Sequence, residues 1–140
     1  VTDARLLARH LAWAATTPAA ADTAFNVVNG DVFRWRWLWP RLAAYFAVEA
    51  APYPSHPTPL GGQTAGDAVP WAELARARGL AEPDLGRLTS AWHTDADLGR
   101  PTEVMADMAR SRRLGFAGYQ PTPDSFADLF DRLRRERLVP

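Results

Sequence analysis

Apolar residues recur at helical spacing near both ends of the chain and through its aromatic centre. Between these stretches the spacing breaks down into proline- and glycine-rich connectors. Residues 2–16, TDARLLARHLAWAAT, predict a helix capped by Thr2 or Asp3, with Leu7, Leu11, Ala14 and Ala15 on one apolar stripe. AFNVV, residues 24–28, is short, apolar and β-favouring, and predicts a buried parallel strand. Asn29-Gly30-Asp31 is a strong turn signal. Beyond the turn the spacing is helical and not that of a hairpin: Trp35, Leu38, Trp39, Leu42 and Phe46 share a face. Pro40 lacks an N–H and is best tolerated in a first turn, which places the regular helix over residues 37–47.

Residues 50–70 hold five prolines and predict a long loop, of the kind usually given to function or mobility. A short helix over 71–78 stops at Gly79. Residues 84–100 predict short helical turns ending at LGRP. TEVMADM, residues 102–108, predicts a second short strand, with a helical turn after it. In TPDSFADLFDRLRRERLVP, Thr122 is the expected cap and Pro123 fits the first helical position. Phe126, Leu129, Phe130 and Leu133 form its apolar stripe. Acidic residues lead and arginines trail, complementing the helix dipole. The expected class is α/β: an α-rich fragment with one or two short strands that would join a larger sheet.

Composition removes several kinds of chemistry. Sixteen basic residues balance sixteen acidic ones, so no global basic field favours nucleic acid or a membrane surface. No cysteine is present, which excludes thiolate nucleophiles, thiolate metal sites and disulfides. All the basic residues are arginine. Without lysine, neither Schiff-base chemistry nor a Tyr–Lys proton relay can operate inside this chain. No signal peptide or spanning segment is visible, and the expected location is cytoplasmic. The chain opens on Val1 and enters a helix almost at once, so its start reads as a cut.

Candidate sites are sparse. FRWRWLWPR suggests an interfacial membrane segment or a stacking platform for single-stranded nucleic acid. Its helical spacing and the balanced charge favour a core helix with arginines lying over tryptophan faces. His93, Asp95 and Asp97 suggest a metal cluster, but His10 and His56 lie in unrelated contexts, so a polar loop at a pocket mouth is the preferred reading. His10 has no recognisable nucleophile partner and reads as a packed or capping histidine. GGQTAG is not a dinucleotide fingerprint, and no G-x-S-x-G elbow exists.

Taken in order, however, the segments resemble a known family. AFNVVNGDVFRWRWLWPRLAAYF resembles the phenylalanine–asparagine strand, NGD turn and tryptophan-bearing helix of the progesterone 5β-reductase/iridoid synthase-like group of extended short-chain dehydrogenases/reductases. DARLLARHLAWAA, PWAELARARGL, MADMARSRRLGFAGY and DSFADLFDRLRRERLVP resemble further segments of its C-terminal part, in the same order. The resemblance implies a substrate-binding C-terminal lobe over residues 1–140, whose strands would extend a Rossmann sheet. It implies an NADPH- or NADH-dependent parent that reduces enone-type C=C or C=O bonds. The cofactor and the catalytic tyrosine and lysine would belong to an N-terminal Rossmann half absent from this chain, which would be the lobe's partner.

The matching substrate-pocket loop is Trp92, His93 and Thr94. His93 and Thr94 depart from the bulky aromatics of plant members, which implies a smaller or more polar substrate. The tryptophans after NGD would pack the junction with the Rossmann sheet. No catalytic residue, cofactor site or metal site is expected here, and no nucleic-acid or membrane partner. A homodimer stays open. The alternatives are the lobe of an epimerase or dehydratase acting on nucleotide sugars, and a non-enzymatic interaction module.

Overall fold

A computed structural model describes residues 1–53, 56, 58–100 and 102–140. Pro54, Ser55 and Pro57 of the expected long loop, and Pro101 of the LGRP stretch, lie outside the described residues. The described residues contain eight α-helices and one 3-10 turn, and no strand. They form two compact units. The first is Val1–Ala50 with Val104–Ala127, and the second is Ala51–Glu103 with Asp128–Pro140.

In the first unit, α1 (Ala4–Thr16) is capped by Asp3, whose carboxylate accepts the Arg5 amide at 2.8 Å. The inward face differs from the predicted stripe. Leu6 and His10 are buried and Trp13 partly so, while Leu7 and Leu11 are exposed, Leu11 to 60%. A histidine therefore stands where a stripe of hydrocarbon was expected. It is packed edge-on against Trp13, Phe25 and Phe116, with ring centroids 4.7–5.2 Å away. Leu6, Met108 and Phe116 complete this core, with Trp13 and Val28 against it.

Both predicted strands are absent among the described residues, which corrects that part of the expected α/β class. Residues 24–28 and 102–108 have no regular secondary structure, and the contacts between them run through side-chain atoms instead of a backbone ladder. Asn26 Nδ2 donates to the Asp107 carbonyl at 3.3 Å, and the Val28 amide meets Met108 Sδ at 3.4 Å. Arg110 reaches the Ala24 carbonyl at 2.8 Å. A strand is defined by its neighbour's hydrogen bonds, and neither segment finds that neighbour here.

The NGD turn joins three parts of this unit. Asn29 is 1% exposed. Its Oδ1 accepts the Asp3 amide at 2.6 Å, and its Nδ2 donates to Thr122 Oγ1 at 3.1 Å and Ser125 Oγ at 3.3 Å. Its backbone pairs with Val1 and Gln120. Asp31 accepts the Thr122 amide at 2.8 Å and the Thr122 hydroxyl at 2.7 Å. Gly30 between them has φ +98°, and a Cβ there would lie 3.0 Å from the Tyr119 ring.

The aromatic helix α2 runs Trp35–Tyr45, two residues earlier than predicted, so Pro40 lies inside it. Pro40 and Arg36 are both exposed, and solvent can take up the carbonyl that proline leaves unserved. Leu38 is fully buried, whereas Trp35, Trp37 and Trp39 remain substantially exposed. The expected arginine–tryptophan stacking is present: Arg41 Cζ lies 3.8 Å over the Trp37 ring.

The second unit is built from four helices and the end of the last helix of the chain. The four are α3 (Leu60–Gln63), α4 (Ala68–Arg78), α5 (Leu85–Leu88) and α6 (Ala91–Leu98). Gly79 ends α4 in the left-handed conformation, as the sequence anticipates. The expected long loop is interrupted by α3, which packs on α6.

The chain then returns to the first unit, where α7 (Ala109–Arg113) carries the buried Ser111. The last helix, α8, runs Thr122–Arg135. Asp31 serves the amide at its start, so Thr122 is the first helical residue instead of the cap. The expected charge order holds, with Asp124 in the first turn and Arg132, Arg134 and Arg135 in the last. Of the predicted stripe, Phe126, Phe130 and Leu133 are partly buried and Leu129 is exposed.

Gly118 has no room for a side chain: a Cβ there would overlap the Phe116 ring and approach Leu6 Cδ1 to 3.1 Å. Gly118→Ala should destabilise the fold by about 2 kcal/mol in urea unfolding. An unchanged midpoint would contradict this packing.

Burial pushes the His10 imidazole below its usual pKa of 6.5. The unfolded chain therefore takes up that proton first, and stability is whole above pH 6.5 and declines as pH falls below it. Asp3 is held well below its usual 3.8, chiefly by its hydrogen bond from Arg5. Its contribution persists to lower pH and is lost only as pH falls further below 3.8. Thermal melting should therefore show a falling midpoint between about pH 7 and about pH 5, a slope that His10→Phe flattens.

Candidate functional site

The second unit contains a cleft of about 420 Å³. Its walls come from α3, α4, α5, the start of α6 and the turns beside them. Leu60, Pro70, Trp71, Leu74, Leu85 and Ala91 make the lining largely apolar, with hydroxyls from Thr64, Thr89, Ser90 and Thr94, and with Asp67. Trp71 is fixed in the wall by its indole N–H, which donates to the Glu82 carbonyl at 3.1 Å.

The hydroxyl protons of three of these side chains are already committed. Thr64 donates to the Leu60 carbonyl at 2.9 Å, Thr89 to Leu85 at 3.1 Å, and Thr94 to Ser90 at 3.3 Å. Each is the bond from a threonine at or beside a helix to the carbonyl four residues back. Ser90 Oγ lies 2.6 Å from His93 Nδ1.

The predicted pocket residues Trp92, His93 and Thr94 are not a loop. They occupy the first turn of α6, which Ser90 precedes. Helical geometry separates them. Ala91 and Thr94 line the cleft, whereas Trp92 and His93 are not among its lining residues. Trp92 is 73% exposed and stands edge-on to His93, with centroids 4.7 Å apart. The cleft residues of α3, α4 and α5 were not singled out from the sequence. Their signal is diffuse: common apolar and hydroxyl residues spread over Leu60–Leu85 become a site only when the helices pack.

The suggested metal cluster is also dispersed around α6. His93 meets Ser90, and Asp97 binds Arg100 at 2.7 Å. Asp95 turns to α3, where Oδ1 accepts the Leu60 amide at 2.7 Å and Oδ2 the Gly61 amide at 3.1 Å. Among the described residues no group of three potential ligands converges on one point. Asp95 instead ties the cleft wall containing Leu60 and Thr64 to the helix carrying Thr94.

In the first unit, His10 does have a hydroxyl neighbour that the sequence did not reveal. Ser111 Oγ lies 2.9 Å from His10 Nε2. Both residues are buried, so the pair holds α1 to α7 and is closed to substrate. Among the described residues no helix is long and apolar enough to cross a membrane.

No protein-family model matches the chain. It is 34% identical over 141 residues to an (S)-8-oxocitronellyl enol synthase of Camptotheca acuminata and 36% identical over 141 residues to that of Nepeta cataria. It is 33% identical over 141 residues to the 3-oxo-Delta(4,5)-steroid 5-beta-reductase of Arabidopsis thaliana. Each alignment takes in 99% of this chain and 36% of the relative, so the chain spans about a third of the length of the relatives it matches.

The role given to Asp95 has a direct consequence. Asp95→Asn replaces one accepting oxygen with an NH₂ group facing a backbone donor. Amide exchange at Leu60 and Gly61 should accelerate about tenfold while global stability changes by less than about 1 kcal/mol. Unchanged exchange at both amides would show that α3 is held by packing alone.

Proposed function

We propose, from the premise that this chain belongs to the progesterone 5β-reductase/iridoid synthase-like group of short-chain dehydrogenases/reductases and corresponds to the C-terminal portion of its members, that it is the substrate-binding lobe of an NAD(P)H-dependent reductase acting on enone-type substrates. The observation that carries this reading is continuous similarity across 99% of the chain both to enol synthases and to a steroid 5-beta-reductase.

The residues of this chain do not fit a dinucleotide. No lysine is present, no glycine fingerprint joins a strand to a helix, and the described residues contain no strand. No step of hydride transfer is therefore assigned to them. The cofactor, NADPH or NADH, belongs to an N-terminal Rossmann half, which is also the lobe's partner. The apolar side chains exposed on the first unit, among them Leu11, Val104, Met105 and the tryptophans of α2, support such a partner. Segments 24–28 and 102–108 would gain their missing ladder from its sheet.

On the substrate side, Thr94 lines the cleft, while Trp92 and His93 stand outside its lining on the exposed side of the same turn, where Trp92 is able to cover an apolar ligand. The cleft disfavours a nucleotide-sugar substrate: among the described residues Asp67 is the charged one in its lining, and no arginine among them lines it to meet a diphosphate.

The test is NADPH consumption by the complete polypeptide with cyclohexenone and, separately, with a sugar nucleotide. Consumption with the enone alone is expected. Trp92→Ala should raise KM about tenfold with kcat little changed, the signature of lost ground-state contact. Turnover of the sugar nucleotide would establish the epimerase alternative, and inertness toward both would favour an interaction module.

A further inference from the structure

The hydroxyl groups of the cleft differ from free hydroxyls in one respect. A threonine side chain ordinarily offers one proton and two lone pairs. In Thr64, Thr89 and Thr94 the proton is given to a backbone carbonyl of the same helix or turn, leaving only lone pairs for a ligand. Asp67, the charged residue of the lining, is likewise an acceptor when ionised. Ser90, the fourth hydroxyl of the lining, has its Oγ engaged by His93 Nδ1 at 2.6 Å, and the remaining wall is hydrocarbon and the Trp71 ring, whose N–H is occupied by the Glu82 carbonyl. The cleft therefore combines apolar walls with hydrogen-bond acceptors whose own protons point elsewhere.

We infer that this cleft selects a neutral, largely apolar small molecule bearing a hydroxyl group, and discriminates against the same skeleton carrying a carbonyl in its place. A hydroxyl supplies the proton that the threonine oxygens lack. A ketone brings only lone pairs, and accepting it requires a threonine to break its bond to the helix or Ser90 to break its bond with His93. An anionic ligand meets Asp67. The inference deepens the reductase reading, and rests on it for the identification of this ligand with the substrate. An enone bound here would place a remote hydroxyl in the cleft and leave its carbonyl to groups outside this chain.

The test separates the two ideas because it requires no turnover. The complete polypeptide, loaded with NADP⁺, is titrated calorimetrically with cyclooctanol and with cyclooctanone, which share one compact apolar ring. The expected result is about fivefold tighter binding of the alcohol, about 1 kcal/mol, the net worth of one hydrogen bond. Thr64→Val with Thr89→Val and Thr94→Val should lower the preference for the alcohol, while Thr64→Ser with Thr89→Ser and Thr94→Ser, which keeps the oxygens, should preserve it.

Equal binding by the unsubstituted protein, a preference for the ketone, or no binding of either would overturn the inference, whether or not cyclohexenone is reduced. A preference for the alcohol in a protein that reduces no enone would keep the cleft assignment and remove the reductase reading. A preference undiminished by the three valines would place the alcohol's hydroxyl away from the threonine oxygens and overturn the inference.

Discussion

The buried side-chain amide of Asn29 is the constraint on which the first unit depends. Burying an amide is costly unless its polar atoms find partners, and Asn29 finds them at opposite ends of the chain. Its oxygen takes the Asp3 amide, at the cap of α1. Its nitrogen serves Thr122 and Ser125, at the start of α8. Asp31, two residues on, fixes the same end of α8 through the Thr122 amide and hydroxyl. Gly30 supplies the backbone reversal that lets both side chains reach the same helix start. The aromatic core then closes around Leu6, His10 and Phe116, and Gly118 is kept bare to admit the phenylalanine ring.

The second unit obeys a different logic. Its helices are short, and a four-residue helix such as α3 cannot persist on its own propensity. The Asp95 carboxylate offsets that weakness by receiving two adjacent amides at the start of α3. One acidic residue thereby joins two walls of the cleft. The same stretch carries Trp92 away from the cleft and Thr94 to its edge, so a single helical turn presents an aromatic surface on one side and a committed hydroxyl on the other.

Much of this was legible in the residues themselves. Helices α1, α4 and α8 emerge from periodicity, caps and charge order, because those signals are local. The inward face of α1 was misread because His10 was excluded from an apolar stripe. Its burial depends on Phe25, Phe116 and Ser111, which no local pattern connects to it. The two strands were misread for a related reason: β-propensity marks a segment that can pair, and pairing needs a neighbour. Trp92, His93 and Thr94 were read together as a loop, and their separation by helical geometry was not visible in that reading. The cleft itself was illegible, since Thr64, Trp71 and Thr94 come together only through Asp95 and the packing of short helices.

If this chain contributes the substrate side of a reductase, its ligand is held at α3 and α6. The most direct measurement is hydrogen exchange of the complete polypeptide saturated with NADP⁺, compared with and without a cyclohexenone that bears a remote hydroxyl. Slowed exchange in Leu60–Gln63 and Ala91–Leu98 is expected when the enone is present. Protection confined to segments outside this chain would contradict that role.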